Sequence, residues 1–129
     1  MKYLLDTCTF LWLLTDAPSL SPRARELGGH GGVQVSVSVV STWEILVKHN
    51  LGKMPLPQGP SEFLTTALEE FGYDILPLSL QATLHLSKLP SLHRDPFDRM
   101  LICQAMTEGM TIVTPDIEIQ RYPVLTVWK

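Results

Sequence analysis

An α/β domain with a mainly parallel central sheet flanked by helices on both faces (α/β/α) is the fold class this sequence predicts. Two observations predict it. Short apolar runs of strand character alternate with longer amphipathic stretches along the whole chain. Most of the helical stretches also carry a recognisable start or stop signal. A third observation sets the scale: 129 residues at 45% hydrophobic content suffice for one domain, residues 1–129, with a real core.

Taken in order, Lys2 to Leu5 reads as a short buried strand ending at Asp6. Thr7 to Leu14, with Phe10, Leu11, Trp12, Leu13 and Leu14, is apolar almost all round and reads as a buried helix ending before Pro18. Ser21 caps a second helix with Pro22 at its first position, and Gly28-Gly29-His30-Gly31-Gly32 ends it in a flexible turn. That glycine run is no phosphate-binding loop, because no Lys-Ser or Lys-Thr follows and a strand comes next. Val33 to Val40 is a strand by alternation. Ser41-Thr42-Trp43-Glu44 has the spacing of a capping box, which places a helix start there and its end near Gly52. Met54 to Pro60, with three prolines, is a loop and the expected flexible point. Ser61 caps a helix carrying Phe63, Leu64, Ala67, Leu68 and Phe71, stopped by Gly72. Tyr73 to Leu78 is a third strand, and Leu80 to Leu89 a helix ending at Pro90. Asp95 then caps a helix with Pro96 at its first position, closing at Gly109. Met110 to Thr114 is a fourth strand, Ile117 to Gln120 a short helix, and Val124 to Trp128 a last, edge strand.

Charge and cysteine content narrow the function. A net charge of -3 gives no general attraction to nucleic acid, so a polyanionic substrate must be held by local arginines or by metal. Asp6 interrupts the first apolar run too early for a signal peptide, and no run is long enough to span a bilayer. Cys8 and Cys103 sit in apolar settings and fit buried thiols of a reducing cytoplasm; their spacing suggests no zinc site.

The acids carry the chemistry. In an open parallel sheet, ligands bind at the carboxyl ends of the strands. Asp6 ends the first strand, Asp116 follows the fourth, and Glu44 lies at the start of the helix after the second. Asp98 begins the helix that precedes the fourth strand, which also places it on that rim. Four clustered carboxylates raise one another's pKa or bind cations. All-oxygen donors favour Mg²⁺ or Mn²⁺ over zinc. One such ion, or two about 3.5–4 Å apart, supports metal-assisted phosphodiester hydrolysis.

Taken singly, most of these residues have plainer readings. Glu44 fits a capping box, Asp95 and Asp98 suit a helix N-terminus, and Asp116 suits a turn. Asp6 differs, because an acid between a buried strand and an apolar helix is costly without a partner. His93, Arg94 and Arg99 either hold a phosphate backbone or balance local charge. His30, His49 and His85 lack metal-ligand spacing, and Lys48 pairs with Glu44 at i,i+4. Trp12, Trp43 and Trp128 read as core or interface residues. No serine sits in a nucleophile-elbow context.

Leu4-Leu5-Asp6-Thr7-Cys8, Ser41-Thr42-Trp43-Glu44-Ile45, Asp95-Pro96-Phe97-Asp98-Arg99-Met100-Leu101-Ile102-Cys103-Gln104-Ala105 and Val113-Thr114-Pro115-Asp116 resemble, in order and spacing, the successive motifs of PIN domains, closest to the VapC-type toxins of toxin–antitoxin pairs. The resemblance implies a Mg²⁺- or Mn²⁺-dependent endoribonuclease. In it Asp6, Glu44, Asp98 and Asp116 would be the first to fourth catalytic metal ligands. Asp95 would support the site or only cap its helix. Thr7 and Thr114 would orient ligand acids or a metal-bound water. Pro115 stands where the family more usually has a basic residue between Thr and Asp, which removes one substrate-contacting charge. The resemblance also implies an RNA substrate, a homodimer and a cognate antitoxin whose tail occupies the active groove. Two competing readings are a receiver-like module holding one Mg²⁺ and a partner-binding domain without catalysis. Against the receiver, no strand-terminal Lys accompanies the acids.

Overall fold

The computed structural model describes residues 1–29, 33–57 and 59–129. The chain runs β1 (Lys2–Leu5), α1 (Thr7–Thr15), α2 (Pro22–Gly29), β2 (Gln34–Ser38), α3 (Val39–Asn50), α4 (Pro60–Phe71), β3 (Asp74–Leu76), α5 (Leu80–His85), a 3₁₀ turn (Leu86–Lys88), α6 (Pro96–Glu108), β4 (Thr111–Val113), α7 (Ile117–Gln120) and β5 (Thr126–Val127). The five strands form one sheet in the order β3-β2-β1-β4-β5, and every pair is parallel. Leu5 stands opposite Val37 on one side and Val113 on the other.

Side-chain alternation along the strands divides the core into two layers. Tyr3, Leu5, Val35, Val37 and Val113 join Phe10, Leu13, Ala24, Leu27, Ile45 and Leu64, so α1 to α4 cover one face. Leu4 and Ile112 join Leu101, Ile102, Cys103, Ala105 and Ile119 on the other. Fully burying a side chain such as Leu4, Leu5 or Ile112 is worth about 1.5–3 kcal/mol. The chain lays β2 and β3 to one side of β1, then crosses to form β4 on the other. Connections therefore leave β1 and β4 in opposite directions. The crevice beyond their carboxyl ends is the topological switch point of the sheet.

Several boundaries differ from the sequence reading. Val39 and Val40 belong to α3, not to a strand, because Ser38 caps the helix and its Oγ accepts from Val40 N at 2.9 Å. Ser41-Thr42-Trp43-Glu44 is therefore no capping box, and Glu44 lies in the second turn. Likewise Gly59, not Ser61, is the N-cap of α4, with Pro60 in the first turn. Ser21 caps α2 as expected, accepting from Ala24 N at 3.0 Å. β3, β4 and β5 are shorter than their apolar runs, and the stretch from Leu80 splits into α5 and the 3₁₀ turn. His30, Gly31, Gly32 and Gln58, which fall in the expected glycine turn and proline loop, lie outside the described residues.

Ser38 has a second role. Its hydroxyl meets Gln104 Oε1, and Gln104 Nε2 donates to the carbonyl of Pro77 at 3.2 Å. That network ties α6 to β2 and to the segment after β3. Ser38→Ala should cost about 1–2 kcal/mol, since it removes a cap and leaves a buried amide oxygen short of a donor. A urea melt reads this as a lower midpoint; an unchanged midpoint would contradict the double role.

Candidate active site

Asp6 is the hinge of the switch point. It ends β1 and caps α1, with Oδ1 accepting from Thr9 N at 2.9 Å. Its Oδ2 accepts from the Thr114 hydroxyl, and the Cys8 thiol lies 3.5 Å and 3.6 Å from its two oxygens. Asp6 is only 3% exposed. Burial raises its pKa although the bonds from Thr114, Thr9 and Cys8 pull the other way. Burial and the adjacent Asp6 push the Cys8 thiol up, so it is no thiolate nucleophile.

Two threonines tie the acids together across elements. Thr114, fully buried after β4, receives the backbone N–H of Asp116 at 3.0 Å while donating to Asp6. Asp116 caps α7, its Oδ1 accepting from Glu118 N at 2.8 Å. Thr7 donates to Glu44 Oε1 at 2.7 Å and lies 2.9 Å from Ser41 Oγ. Glu44 is 4% exposed and pairs through Oε2 with Lys48. Each threonine thus orients an acid borne by another element. Their pairing could not be read from sequence, because both partners in each bond are distant along the chain.

The start of α6 supplies the remaining acids. Asp95 caps it, with Oδ1 accepting from Phe97 N at 2.9 Å and Asp98 N at 3.0 Å. Asp98 follows in the first turn. Burial, and then the fields of Asp95, Asp116, Glu44 and Asp6, push its pKa up to about 8. The four predicted acids and Asp95 therefore share one electrostatic environment. Among the described residues, Lys48 is the one Lys or Arg that forms an ion pair with any of these five acids. Burial opposes the Lys48 ammonium, but its bond to Glu44 and the fields of Glu44, Asp95 and Asp98 outweigh that and raise it. His93 Nε2 stands 3.5 Å from Asp98 Oδ2. The Arg99 Nε is buried without a hydrogen-bond partner, and Arg94 is exposed.

The donor chemistry suits a hard divalent ion: carboxylate oxygens, an unneutralised field at Asp98 and hydroxyls that hold the acids in place. Among the described residues, no three His, Cys, Asp or Glu side chains are gathered closely enough to enclose an ion as they stand. The acids share a field without forming a finished coordination shell.

Residues 3–125 match the PIN domain family. The chain belongs to that family. No curated protein matches the sequence. Among solved structures, this PIN domain is similar to a chain of VapBC2 from Rickettsia felis bound to a DNA fragment from their promoter. That match has a TM-score of 0.75 at 20% identity and covers 100% of both chains. DNA-bound VapBC from Salmonella typhimurium gives a TM-score of 0.69 at 20% identity, over 98% of this chain and 96% of that one. A toxin–antitoxin complex from Klebsiella pneumoniae gives 0.58 at 13% identity, over 88% and 86%. At these identities the likeness is one of fold. PIN domains are generally nucleases and typically use divalent metal ions, in keeping with the donor set at the switch point. No helix among the described residues is long and apolar enough to cross a membrane.

Sequence reading missed three features of this PIN domain. Ser41 and Thr7 meet beside Glu44, and Tyr122 reaches His93. Trp43, read as core or interface, is 58% exposed beside Glu44. Its ring packs against Phe97, the neighbour of Asp98, at 5.0 Å and 72°. The spacing of Trp43 one residue before a candidate acid was the only available signal.

Proposed function

We propose that this PIN domain is a Mg²⁺- or Mn²⁺-dependent endoribonuclease, the toxin of a toxin–antitoxin pair. The observation that carries the reading is the carboxyl of Asp98, pushed up by burial and by four other acids at the carboxyl end of a parallel sheet. Such a field favours a cation. Asp6, Glu44, Asp98 and Asp116 would hold the ion. Bound there, it supplies a water of lowered pKa and charge neutralisation at phosphorus. Thr114 and Thr7 hold Asp6 and Glu44 in orientation, and Asp95 fixes the start of the helix that bears Asp98. Arg99, whose Nε has no protein partner, is the candidate phosphate contact.

Purified protein should cut RNA with Mg²⁺ or Mn²⁺, lose cleavage on addition of EDTA, and lose it in Asp6→Asn. Full activity in Asp6→Asn would refute the site, and equal cleavage of single-stranded DNA would refute RNA selectivity. An antitoxin is the proposed partner, on the analogy of the Klebsiella complex, and a homodimer the proposed assembly. The cytoplasm is the proposed location, where the free Cys8 and Cys103 stay reduced. A partner-binding domain without catalysis draws support from the open spacing of the acids; it predicts no heat on titration with Mn²⁺.

With little net attraction for a polyanion, stacking would add to what the ion and Arg99 contribute to substrate affinity. Exposed Trp43, edge-to-face with Phe97, is the natural platform. Base–aromatic stacking is worth about 1–3 kcal/mol per base. Trp43→Ala should therefore raise the KM for RNA by about 5- to 150-fold with kcat preserved. A fall in kcat at constant KM would count against the platform.

A further inference from the structure

The Tyr122 hydroxyl, buried behind α7, accepts the backbone N–H of Leu92 at 3.2 Å and of His93 at 3.1 Å. Both acceptor positions of the phenol oxygen are then engaged. Its one proton must go to the third neighbour, His93 Nδ1 at 2.8 Å. With Nδ1 accepting, the neutral ring carries its proton on Nε2. The ring is held edge-on to Tyr122, with centroids 5.3 Å apart at 65°. Its Nε2 is buried with no hydrogen-bond partner, and Asp98 Oδ2 stands 3.5 Å away. An N–H···O bond closes at about 2.9–3.0 Å, so the carboxylate is about half an ångström short of it.

From this geometry we infer that His93 is a positioning residue: its Nε2–H, oriented by Tyr122, captures Oδ2 of Asp98 and leaves Oδ1 free for a cation. A protonated Nε2 has no lone pair to offer, so His93 is not itself a ligand. Only its Nε2–H reaches the acid, and the ring's other nitrogen is spent on Tyr122. Partners of this kind typically change metal affinity or activity by about 10–100-fold when removed. The inference about Asp98 rests on the metal-site reading, whereas the ring's tautomer does not.

The experiment has two arms. In the first, ¹⁵N NMR of the metal-free protein reads the ring nitrogens of His93, assigned by their loss in His93→Gln. The protonated Nε2 and bare Nδ1 are expected, with the other tautomer gaining population in Tyr122→Phe. A ring protonated on Nδ1 in the wild type overturns the inference. In the second, calorimetry with Mn²⁺ compares wild type, His93→Ala and His93→Gln. Alanine should weaken binding about 10–100-fold. Glutamine, whose amide N–H falls near the Nε2 position, should recover most of it. Unchanged binding in His93→Ala, or no recovery in His93→Gln, overturns the inference. If wild type binds no Mn²⁺ and cuts no RNA, the nuclease reading falls, and the NMR arm still decides the tautomer.

Discussion

Asp98→Asn should abolish RNA cleavage and, at pH 8, make the metal-free protein more stable than wild type. The first effect follows from removing a proposed ligand: a bound ion supplies several kcal/mol of transition-state stabilisation, so a loss of about 10³-fold or more is expected. The second follows from the sign of the pKa shift. The carboxyl is raised from 3.8 to about 8, by burial first and then by Asp95, Asp116, Glu44 and Asp6. Between those values the folded protein holds a proton that the unfolded chain releases. Stability therefore falls as pH rises through that window, and the full penalty is present above about pH 8. Asparagine keeps the shape without the charge. After allowance for residual solvent contact, a gain of about 1–3 kcal/mol is expected at pH 8, shrinking towards pH 4. Thermal melts at several pH values, beside a single-turnover cleavage assay, read both effects. A variant less stable than wild type at pH 8 would show that the acids do not repel one another as described.

Addition of Mn²⁺ should raise the melting temperature of wild type, most at high pH. An ion that binds only the folded state stabilises it by about 2.7 kcal/mol at one hundred times its dissociation constant. For a chain of this length that corresponds to a rise on the order of 10 °C. Protons and metal compete for the same oxygens, so the rise should shrink as pH falls from 8 towards 4. EDTA should reverse it, and Asp98→Asn should lose most of it. A rise of equal size at both ends of the range, or in Asp98→Asn, would place the bound ion elsewhere.

Why an acid so unfavourable to folding is tolerated is a matter of position. Asp98 sits where Asp95 and Pro96 start a core helix, and that helix is anchored by Leu101, Ile102 and Ala105 in the second layer. The anchor holds the carboxylate near its neighbours although repulsion would separate them. Capping and chemistry share the same turn: Asp95 bonds the backbone N–H of Asp98 and so fixes the acid's origin.

Most of the element order was legible. Strand-to-helix alternation placed four strands and the edge strand in the right order, and Pro96 and Gly109 bounded α6. The start of α3 was not. Val39 and Val40 have strand propensity, and Ser41 to Glu44 matches a capping box, so local cues agreed on a boundary that Ser38 overrides. Of the acids, the sequence placed Asp6, Glu44, Asp98 and Asp116 on one rim of the sheet, and in the fold the other three all act on the carboxyl of Asp98. Trp43 illustrates the opposite case, since the same apolar residue on the same helix can face core or solvent, and here it faces solvent.

By itself, then, the sequence determined the α/β class, the parallel sheet and the rim on which the acids lie. Those follow from periodicity and from caps, which act over a few residues. Only the tertiary structure decided that Thr114 holds Asp6, that Thr7 holds Glu44, and that Tyr122 orients the ring of His93. It also decided that Asp98 stands among four other acids. These partners are separated along the chain by stretches that no local rule spans. Their distances are set by how two layers of helices pack on one sheet, and hydrogen bonding and charge act through those distances alone.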